Sequence, residues 1–187
     1  MGLLSNTIAI NQTKTVGINQ CDWTIFSSRK YRKAIGVNGL SACSVIAIVS
    51  PYAAAVAHIG PDILGSCNPN SFIELAQSLT RNTVSICIAN PALFPPESKT
   101  YIICATANNY ILTAPEQMRA MYQGVMESPY SNVQWHYYEQ SDPSRINHQT
   151  HLGTVFIDGR YGPPRVYVED RDITNAPGYN PMWSYNW

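Results

Sequence analysis

Two apolar runs joined by a short turn constrain this chain more than any other feature. Residues 44–49 and 53–59 are rich in β-branched and small apolar residues, and Ser50, Pro51 and Tyr52 separate them. Continuous apolar runs of this length are typical of strands that are buried on both faces. Because a short turn makes its two strands antiparallel neighbours, the sequence predicts a β-hairpin inside a covered sheet.

The remaining elements predict an α/β chain of the α+β kind, with strands dominating and two principal helices. A helix is expected over residues 70–82, where Ser71 and Glu74 form a capping-box pattern. A second helix begins near Thr113, with Pro115 in its first turn. Other strands are expected at residues 7–13, 22–28, 83–88, 100–106, 133–138, 153–158 and 165–169. We expect one domain over residues 1–187, with a mainly antiparallel core of one sheet or two and an irregular aromatic tail at 175–187.

The charge balance excludes two classes of protein. Lys and Arg number 12, Asp and Glu number 12, and the formal net charge is zero. A generally basic nucleic-acid binder and an acidic disordered chain are therefore both excluded. Charged residues make up only 13% of the chain, about half the usual share. Such a weakly charged surface leads us to expect a homo-oligomer, or a surface that is partly covered by a partner.

The cysteines and the N-terminus predict a reducing compartment. The five cysteines are odd in number and form no Cys-x-x-Cys pair, which argues against zinc ribbons and thioredoxin-like sites. No apolar run is long enough to span a membrane, and the first residues lack the pattern of a secretory signal. We therefore expect reduced thiols, a cytoplasmic location and no membrane partner, with non-classical secretion left open.

The arrangement around Cys43 predicts nucleophilic chemistry. Cys43 follows a Gly-Asn-Gly-containing turn at residues 36–39 and stands at the head of the first strand of the hairpin. Backbone N–H groups at such a position can stabilise a thiolate and the oxyanion of an acyl-transfer intermediate. His58 follows 15 residues later and falls on the neighbouring strand, roughly opposite Cys43. An imidazole there can act as base for the thiol and as acid for a leaving amine.

This stretch resembles a known family. Leu40-Ser41-Ala42-Cys43, the apolar strand after it and His58 on the next strand are similar to the Cys–His protein glutamine deamidases. That family includes the chemoreceptor deamidase CheD, the catalytic domain of cytotoxic necrotizing factor and the Burkholderia lethal factor. The likeness covers residues 36–61 and implies a CheD-like or necrotizing-factor-like fold and a toxin-like role.

The resemblance also implies a mechanism. The Cys43 thiolate would attack the carboxamide of a glutamine on a partner protein, and backbone amides around Ala42–Ser44 would hold the oxyanion. His58 would protonate the departing ammonia and then activate water to release glutamate. This chemistry needs no metal and no organic cofactor, and its partner is a protein rather than a nucleic acid. An amine in place of water would give transglutamination.

Two positions depart from the family pattern. Ala42 stands where the toxin members have glycine, and Val37 stands where two members carry a threonine that orients the histidine. The necrotizing factor orients its histidine with a main-chain carbonyl instead. A carbonyl near Val37 or the side chain of Asn38 is therefore expected to orient His58, with Ser41 and Ser44 beside the oxyanion.

Other interpretations remain open at this stage. A non-catalytic binding or assembly module could keep the same fold, with Cys43 and His58 as ordinary core residues. A papain-like set would join Cys43 to His151 and Asp158, although such nucleophiles open a helix and not a strand.

Three further features have weaker functional interpretations. His148 and His151 are spaced as zinc ligands on a helix are, but their polar surroundings indicate a loop. The basic residues within 29–33 fit a solvated edge strand, and Cys87 and Cys104 fit core positions.

Overall fold

A computed structural model describes residues 2–9, 11–26, 33–61, 71–107, 111–140 and 152–177. Its helices are α1 (Leu3–Ala9), α2 (Ser71–Ala89) and α3 (Pro115–Met126). Its strands are β1 (Thr13–Thr15), β2 (Gln20–Ile25), β3 (Ala34–Val37), β4 (Ser44–Val49), β5 (Ala53–Ile59), β6 (Lys99–Ala107), β7 (Ile111–Leu112), β8 (Val133–Glu139), β9 (Val155–Asp158), β10 (Arg165–Val168) and β11 (Arg171–Asp172).

The strands form two mixed sheets. The first sheet has the order β1-β3-β9-β10-β11, and the second runs β2-β5-β4-β6, with β7 and β8 also pairing with β6. Only the β1–β3 and β6–β8 pairs are parallel among the described strands. The predicted α+β fold with a mainly antiparallel, two-sheet core is therefore confirmed.

The predicted hairpin lies at the centre of the second sheet. β4 and β5 pair in antiparallel register, with Val45 opposite His58. All six residues of β4 and all seven of β5 are buried, as strands covered on both faces require. The Ser50 hydroxyl fixes the turn, because it accepts the backbone N–H of Tyr52 and of Ala53, each at 3.0 Å.

Alternation along β4 divides the core into two layers. Val45 and Ala47 face the first sheet, where they pack in one cluster with Val37 and Val155. Ile46 faces the opposite way and packs with side chains of α2 and α3. The second sheet therefore lies between the first sheet and the two long helices, and α1 covers the outer face of the first sheet.

One predicted strand is part of a helix. Residues 83–88 continue α2, which runs without a break from Ser71 to Ala89. Leu79, Thr83 and Cys87 recur at a helical spacing on its buried face, and the Thr83 hydroxyl donates to the Leu79 carbonyl at 2.9 Å. The β-branched residues suggested a strand, but burial at intervals of four residues decides for the helix.

The N-terminal predictions need two corrections. Residues 7–13 were expected to form a strand, but residues 3–9 form α1, with Leu4 and Thr7 buried on one face. Residues 34–37 form β3 although Gly36 suggested a turn there, and the turn follows at Gly39, which has a φ of 76°. A larger residue would not fit at position 36 of this strand, because a Cβ there would lie 2.9 Å from the Val155 carbonyl oxygen.

The other predicted elements are confirmed to within a few residues in the described part of the chain. The predicted strand 22–28 corresponds to β2, and its residues 27 and 28 lie outside the described part. β6, α3, β8, β9 and β10 all lie where the sequence predicts them, and Pro115 is the first residue of α3. In the tail, residues 175–177 have no regular structure, and residues 178–187 lie outside the described part of the chain. None of the described helices is long and apolar enough to cross a membrane.

We predict that replacing Gly153 destabilises the fold through steric contact as well as through its positive φ. Gly153 and Gly39 both have positive φ, at 59° and 76°, so alanine at either position costs about 1–2 kcal/mol. An added Cβ at Gly153 would also lie 2.3 Å from the Leu40 carbonyl oxygen, whereas nothing lies within 4 Å at Gly39. In urea unfolding, we expect Gly153→Ala to destabilise the chain by about 1–3 kcal/mol more than Gly39→Ala does. Equal losses for the two variants would show that the contact with Leu40 does not constrain this loop.

Candidate active site

The hairpin brings Cys43 and His58 to the same face of the second sheet. Cys43 directly precedes β4, and the last printed pair of the register places Ser44 opposite Ile59. His58 lies opposite Val45, and Cys43 is two residues before Val45, so the three side chains share the face that packs on the first sheet. Cys43 and His58 are therefore diagonal cross-strand neighbours, whose Cα atoms lie about 7–8 Å apart in such pairs.

The loop that carries Cys43 is held at both ends. At its start, the backbone N–H of Leu40 donates to the Gly153 carbonyl at 2.9 Å. At its end, the hydroxyl of Tyr138 on β8 donates to the Cys43 carbonyl at 2.6 Å, in a buried hydrogen bond. Because Gly153 leads into the first sheet and Tyr138 belongs to the second, the position of Cys43 depends on how the two sheets pack together.

The ring of His58 is oriented by a main-chain carbonyl. Its Nδ1 lies 3.4 Å from the carbonyl oxygen of Val16, which follows β1. A carbonyl oxygen can only accept, so this contact assigns the hydrogen to Nδ1 and leaves Nε2 with a free lone pair. Nε2 is buried and has no hydrogen-bond partner among the described residues.

Burial shifts the pKa values of Cys43 and His58 in opposite directions, each toward the neutral form. Burial raises the pKa of the Cys43 thiol above its ordinary value of 9.0, against an opposing effect of backbone hydrogen bonds from Ser41 and Ala42. Burial also lowers the pKa of His58 below 6.5, and the contact with Val16 opposes this only in part. Burial therefore disfavours the charged form of each group and opposes the thiolate–imidazolium pair that the sequence permitted.

The backbone supplies donors at the sulfur. The hydrogen bonds from Ser41 and Ala42 lower the pKa of Cys43, as N–H groups directed at a developing negative charge do. These two residues immediately precede the nucleophile, so the same loop that positions the sulfur also surrounds it with donors. Such groups can stabilise an oxyanion that forms next to the sulfur.

A groove opens beside this loop, where strands β6 and β8 of the second sheet end. Its volume is about 530 Å³, and its lining includes Ala42 beside the nucleophile and Pro61 just after β5. Phe72 of α2, Leu112 of β7 and Glu116 of α3 also line it. A groove of this size is within the range of small-molecule and peptide side-chain sites.

The other residues that the sequence analysis proposed for the site have different environments. Val37 is buried in β3, where it pairs with Val155, and Asn38 is exposed. The carbonyl that contacts His58 belongs to Val16, whose own N–H donates to Gly36 beside Val37. Ser44 is buried, and its side chain hydrogen-bonds Cys104 on the opposite face of the sheet from Cys43.

Of the papain-like alternative, the structure describes Cys43 and Asp158 but not His151. The Asp158 carboxylate receives two bonds of 2.8 Å from Arg160, so it is engaged at the far end of β9 and not near Cys43. No group of three His, Cys, Asp or Glu side chains among the described residues could hold a metal ion. His148, His151, Cys67, Arg29, Lys30 and Arg32 lie outside the described residues.

The other described thiols and the remaining buried histidine belong to the core. Cys87 lies in α2 and Cys104 in β6, and burial raises the pKa of each to about 12. Cys21 is half-buried against the hydroxyl of Thr83 at 3.3 Å. His136 on β8 is buried and stacks on Tyr101, with ring centroids 6.0 Å apart.

Sequence reasoning did not find three residues of the site. Val16 acts through its carbonyl, which any residue would supply, so its side chain gives no signal. Tyr138 was expected only as part of a strand, and its partner lies 95 residues away in the chain. Gly153 was expected only as the start of a strand, although a glycine before a buried strand can mark a positive φ.

Comparisons with known proteins add little to this geometry. The chain matches no protein-family profile and no curated protein. Among solved structures it is similar to the C-terminal domain of CNFy from Yersinia pseudotuberculosis, at a TM-score of 0.34 and 12% sequence identity. The alignment covers 83% of this chain and 56% of the other, so this chain spans little more than half of that structure. A likeness of this strength carries no argument about activity.

We predict that the buried histidines make stability fall below about pH 6.5. The pKa values of His58 and His136 are both below 6.5 in the folded chain, chiefly because burial disfavours the imidazolium. The unfolded chain therefore binds more protons in this range, and the free energy of unfolding falls as the pH drops through 6.5. Urea midpoints from about pH 8 to about pH 5 measure this slope, which should be shallower in His58→Gln. A flat profile over this range would contradict the buried neutral state.

A second prediction concerns the hydrogen bond from Tyr138 to Cys43. Tyr138→Phe removes it and should loosen the loop, so that iodoacetamide alkylates Cys43 several-fold faster at fixed pH. The matched control is Tyr130→Phe, since the Tyr130 hydroxyl donates to the Phe94 carbonyl at 3.0 Å in an equally buried bond. Both variants should lose about 1 kcal/mol of stability, yet only the first should change the rate at Cys43 in peptide mass spectrometry. Equal rates in the two variants would exclude a positioning role for Tyr138.

Proposed function

We propose that this chain is a cysteine hydrolase that deamidates glutamine side chains of a partner protein. The observation that carries the proposal is the orientation of His58, whose Nδ1 faces the Val16 carbonyl while its bare Nε2 lies on the same face as Cys43. The motif at residues 40–43, with its likeness to the glutamine deamidases, supports the choice of substrate.

In the first half of the proposed reaction, Cys43 attacks the glutamine carboxamide carbon and passes its thiol proton to Nε2 of His58. General-base transfer suits this site, because burial disfavours the charged forms of both the thiol and the imidazole. The oxyanion accepts hydrogen bonds from the N–H groups of Ser41 and Ala42. The C–N bond then breaks, His58 returns its proton to the leaving nitrogen, and ammonia departs from a Cys43 thioester.

The second half of the reaction returns the site to its starting state. Water attacks the thioester carbon and gives a proton to Nε2 of His58. The C–S bond breaks, the thiol of Cys43 regains its proton from His58, and glutamate is released. The sum is glutamine plus water giving glutamate plus ammonia, with no redox step. An amine that replaces water would give a transglutamination product through the same thioester.

Incubation of the intact protein with native cell extracts in heavy-oxygen water tests this proposal. We expect ammonia release, and heavy oxygen in the side chain of a specific glutamate that replaces a glutamine. Cys43→Ala should abolish both signals, and His58→Ala should slow them about 10²-fold to 10⁴-fold, the usual contribution of a general acid–base group.

Two matched controls separate chemistry from folding. Cys87→Ala removes another buried thiol, and His136→Ala removes another buried histidine whose pKa is also lowered by burial. Both variants should keep the activity once they are shown to be folded. Loss of activity in all four variants, or full activity in Cys43→Ala, would overturn the proposed mechanism.

A non-catalytic binding module with the same fold is the second candidate. The observation that favours it is the burial of Cys43, which is only 2% exposed and has a raised pKa. In that case Cys43 should react with iodoacetamide no faster than Cys87 at any pH, and no extract should release ammonia. Alkylation of Cys43 that depends on His58 would exclude this candidate.

A further inference from the structure

The turn between β10 and β11 holds two residues in a backbone conformation that their types rarely adopt. Val168 pairs with Arg171, so Glu169 and Asp170 alone form the turn. Their φ angles are 50° and 62°, in the left-handed region that favours glycine and asparagine. Other residue types persist there only where the surrounding contacts fix them. The contacts of these two side chains therefore indicate why the turn is built from them.

Glu169 is bonded to the segment before β9 through both its backbone and its side chain. Its N–H donates to the Thr154 carbonyl at 2.9 Å, and its carboxylate accepts the Gly153 N–H, also at 2.9 Å. The Gly153 carbonyl in turn accepts the Leu40 N–H at 2.9 Å, at the start of the loop that carries Cys43. Two consecutive hydrogen bonds therefore connect the Glu169 carboxylate to the loop of the nucleophile.

Gly153 has little freedom between these two partners. Its φ is 59°, and an added Cβ would lie 2.3 Å from the Leu40 carbonyl oxygen, so the two backbones are in close contact. A carboxylate that accepts a backbone N–H forms a charge-assisted hydrogen bond, which is stronger than a bond between neutral groups. Glu169 is half-buried, so water competes with this bond only in part. Loss of the carboxylate would therefore release Gly153 and, through it, Leu40.

The same carboxylate lies near the second support of this loop. That support is the hydroxyl of Tyr138, which donates to the Cys43 carbonyl at 2.6 Å. Burial is the main cause that raises the pKa of Tyr138, and the negative charge of Glu169 is one of the nearby charges that raise it further. The phenol therefore stays protonated and remains a hydrogen-bond donor to the loop.

We propose that Glu169 is a positioning residue for Cys43, acting through its hydrogen bond to Gly153 and the bond from Leu40 to Gly153. Without the carboxylate, the loop that begins at Leu40 opens more often, and the sulfur leaves its place beside the backbone donors. The catalytic consequence of this opening rests on the proposed function, because Cys43 is the nucleophile of that reaction.

Asp170 provides a matched control within the same turn. It also has a positive φ and a carboxylate, but that carboxylate accepts the N–H of Leu3, at 3.1 Å and 3.3 Å from its two oxygens. Leu3 begins α1, which covers the outer face of the first sheet, whereas Cys43 packs on the inner face. Glycine adopts a positive φ readily, so Glu169→Gly and Asp170→Gly relieve the same conformation and differ in the hydrogen bond that they remove.

Alkylation of the intact chain with iodoacetamide tests the proposal. Peptide mass spectrometry gives the rate at Cys43, which is divided by the rate at Cys87 in a different cluster of the core. Buried thiols react through transient opening, so loss of one hydrogen bond should raise the local rate by about threefold to tenfold. We expect this rise in Glu169→Gly and no rise in Asp170→Gly. Glu169→Gln keeps an acceptor oxygen and should stay within about twofold of the wild-type rate.

Glu169→Asn carries the test if Glu169→Gly does not fold. Asparagine tolerates the left-handed region, and its side chain is one methylene group shorter, which withdraws the acceptor from Gly153. The same rise at Cys43 is expected. A wild-type ratio of the two rates in the folded variant, an equal rise in Asp170→Gly, or a Glu169→Gln variant without this rescue would overturn the proposal.

Ammonia release from native cell extracts separates this inference from the proposed function. Release should be slower by about tenfold or more in Glu169→Gly, since a displaced nucleophile loses its attack geometry, and it should be unchanged in Asp170→Gly. The expected alkylation pattern without ammonia from any variant or from the wild-type chain would support the positioning role and overturn the deamidase. Ammonia release with equal alkylation of Cys43 in all variants would support the deamidase and overturn the positioning role.

Discussion

The register between β4 and β5 is the constraint on which the rest of this site depends. Val45 lies opposite His58, which places Cys43 and His58 on one face of the second sheet. Side chains alternate along a strand, so a slip of one residue would turn His58 toward the helices and away from Cys43. Burial of both faces prevents such a slip, because it would exchange two apolar layers at once. The register that builds the core therefore also builds the pair.

The same burial sets the chemistry that the pair can perform. Burial raises the pKa of the Cys43 thiol and lowers the pKa of the His58 imidazole, so the charged form of each group is disfavoured. The Val16 carbonyl then has a precise consequence, since it selects the tautomer whose bare nitrogen can receive that proton. A reaction at this site would begin with attack coupled to proton transfer. The two N–H donors near the sulfur would stabilise the charge only as it develops.

The sequence allowed the local part of this arrangement to be predicted, and the long-range part not. The hairpin, its buried character and the spacing from Cys43 to His58 all follow from periodicity and one short turn. The hydroxyl of Tyr138 reaches Cys43 because β4 and β8 both pair with β6, and the carbonyl of Val16 reaches His58 because the two sheets pack together. No local pattern encodes either contact. Residues 83–88 were predicted wrongly for a local reason. Their β-branched composition indicated a strand, whereas the spacing of their side chains fits the buried face of α2. At these residues, packing against the sheet outweighed the intrinsic strand propensity.

The candidate catalytic pair and the groove lie on different parts of the second sheet. Cys43 and His58 lie on the face that packs on the first sheet, whereas the groove lies at the ends of β6 and β8 and is walled by α2, α3 and β7. Ala42 joins the two, because it hydrogen-bonds the Cys43 sulfur through its backbone and lines the groove. Neither Cys43 nor His58 lines the groove, so a ligand there would contact the loop that positions Cys43 and not the pair itself.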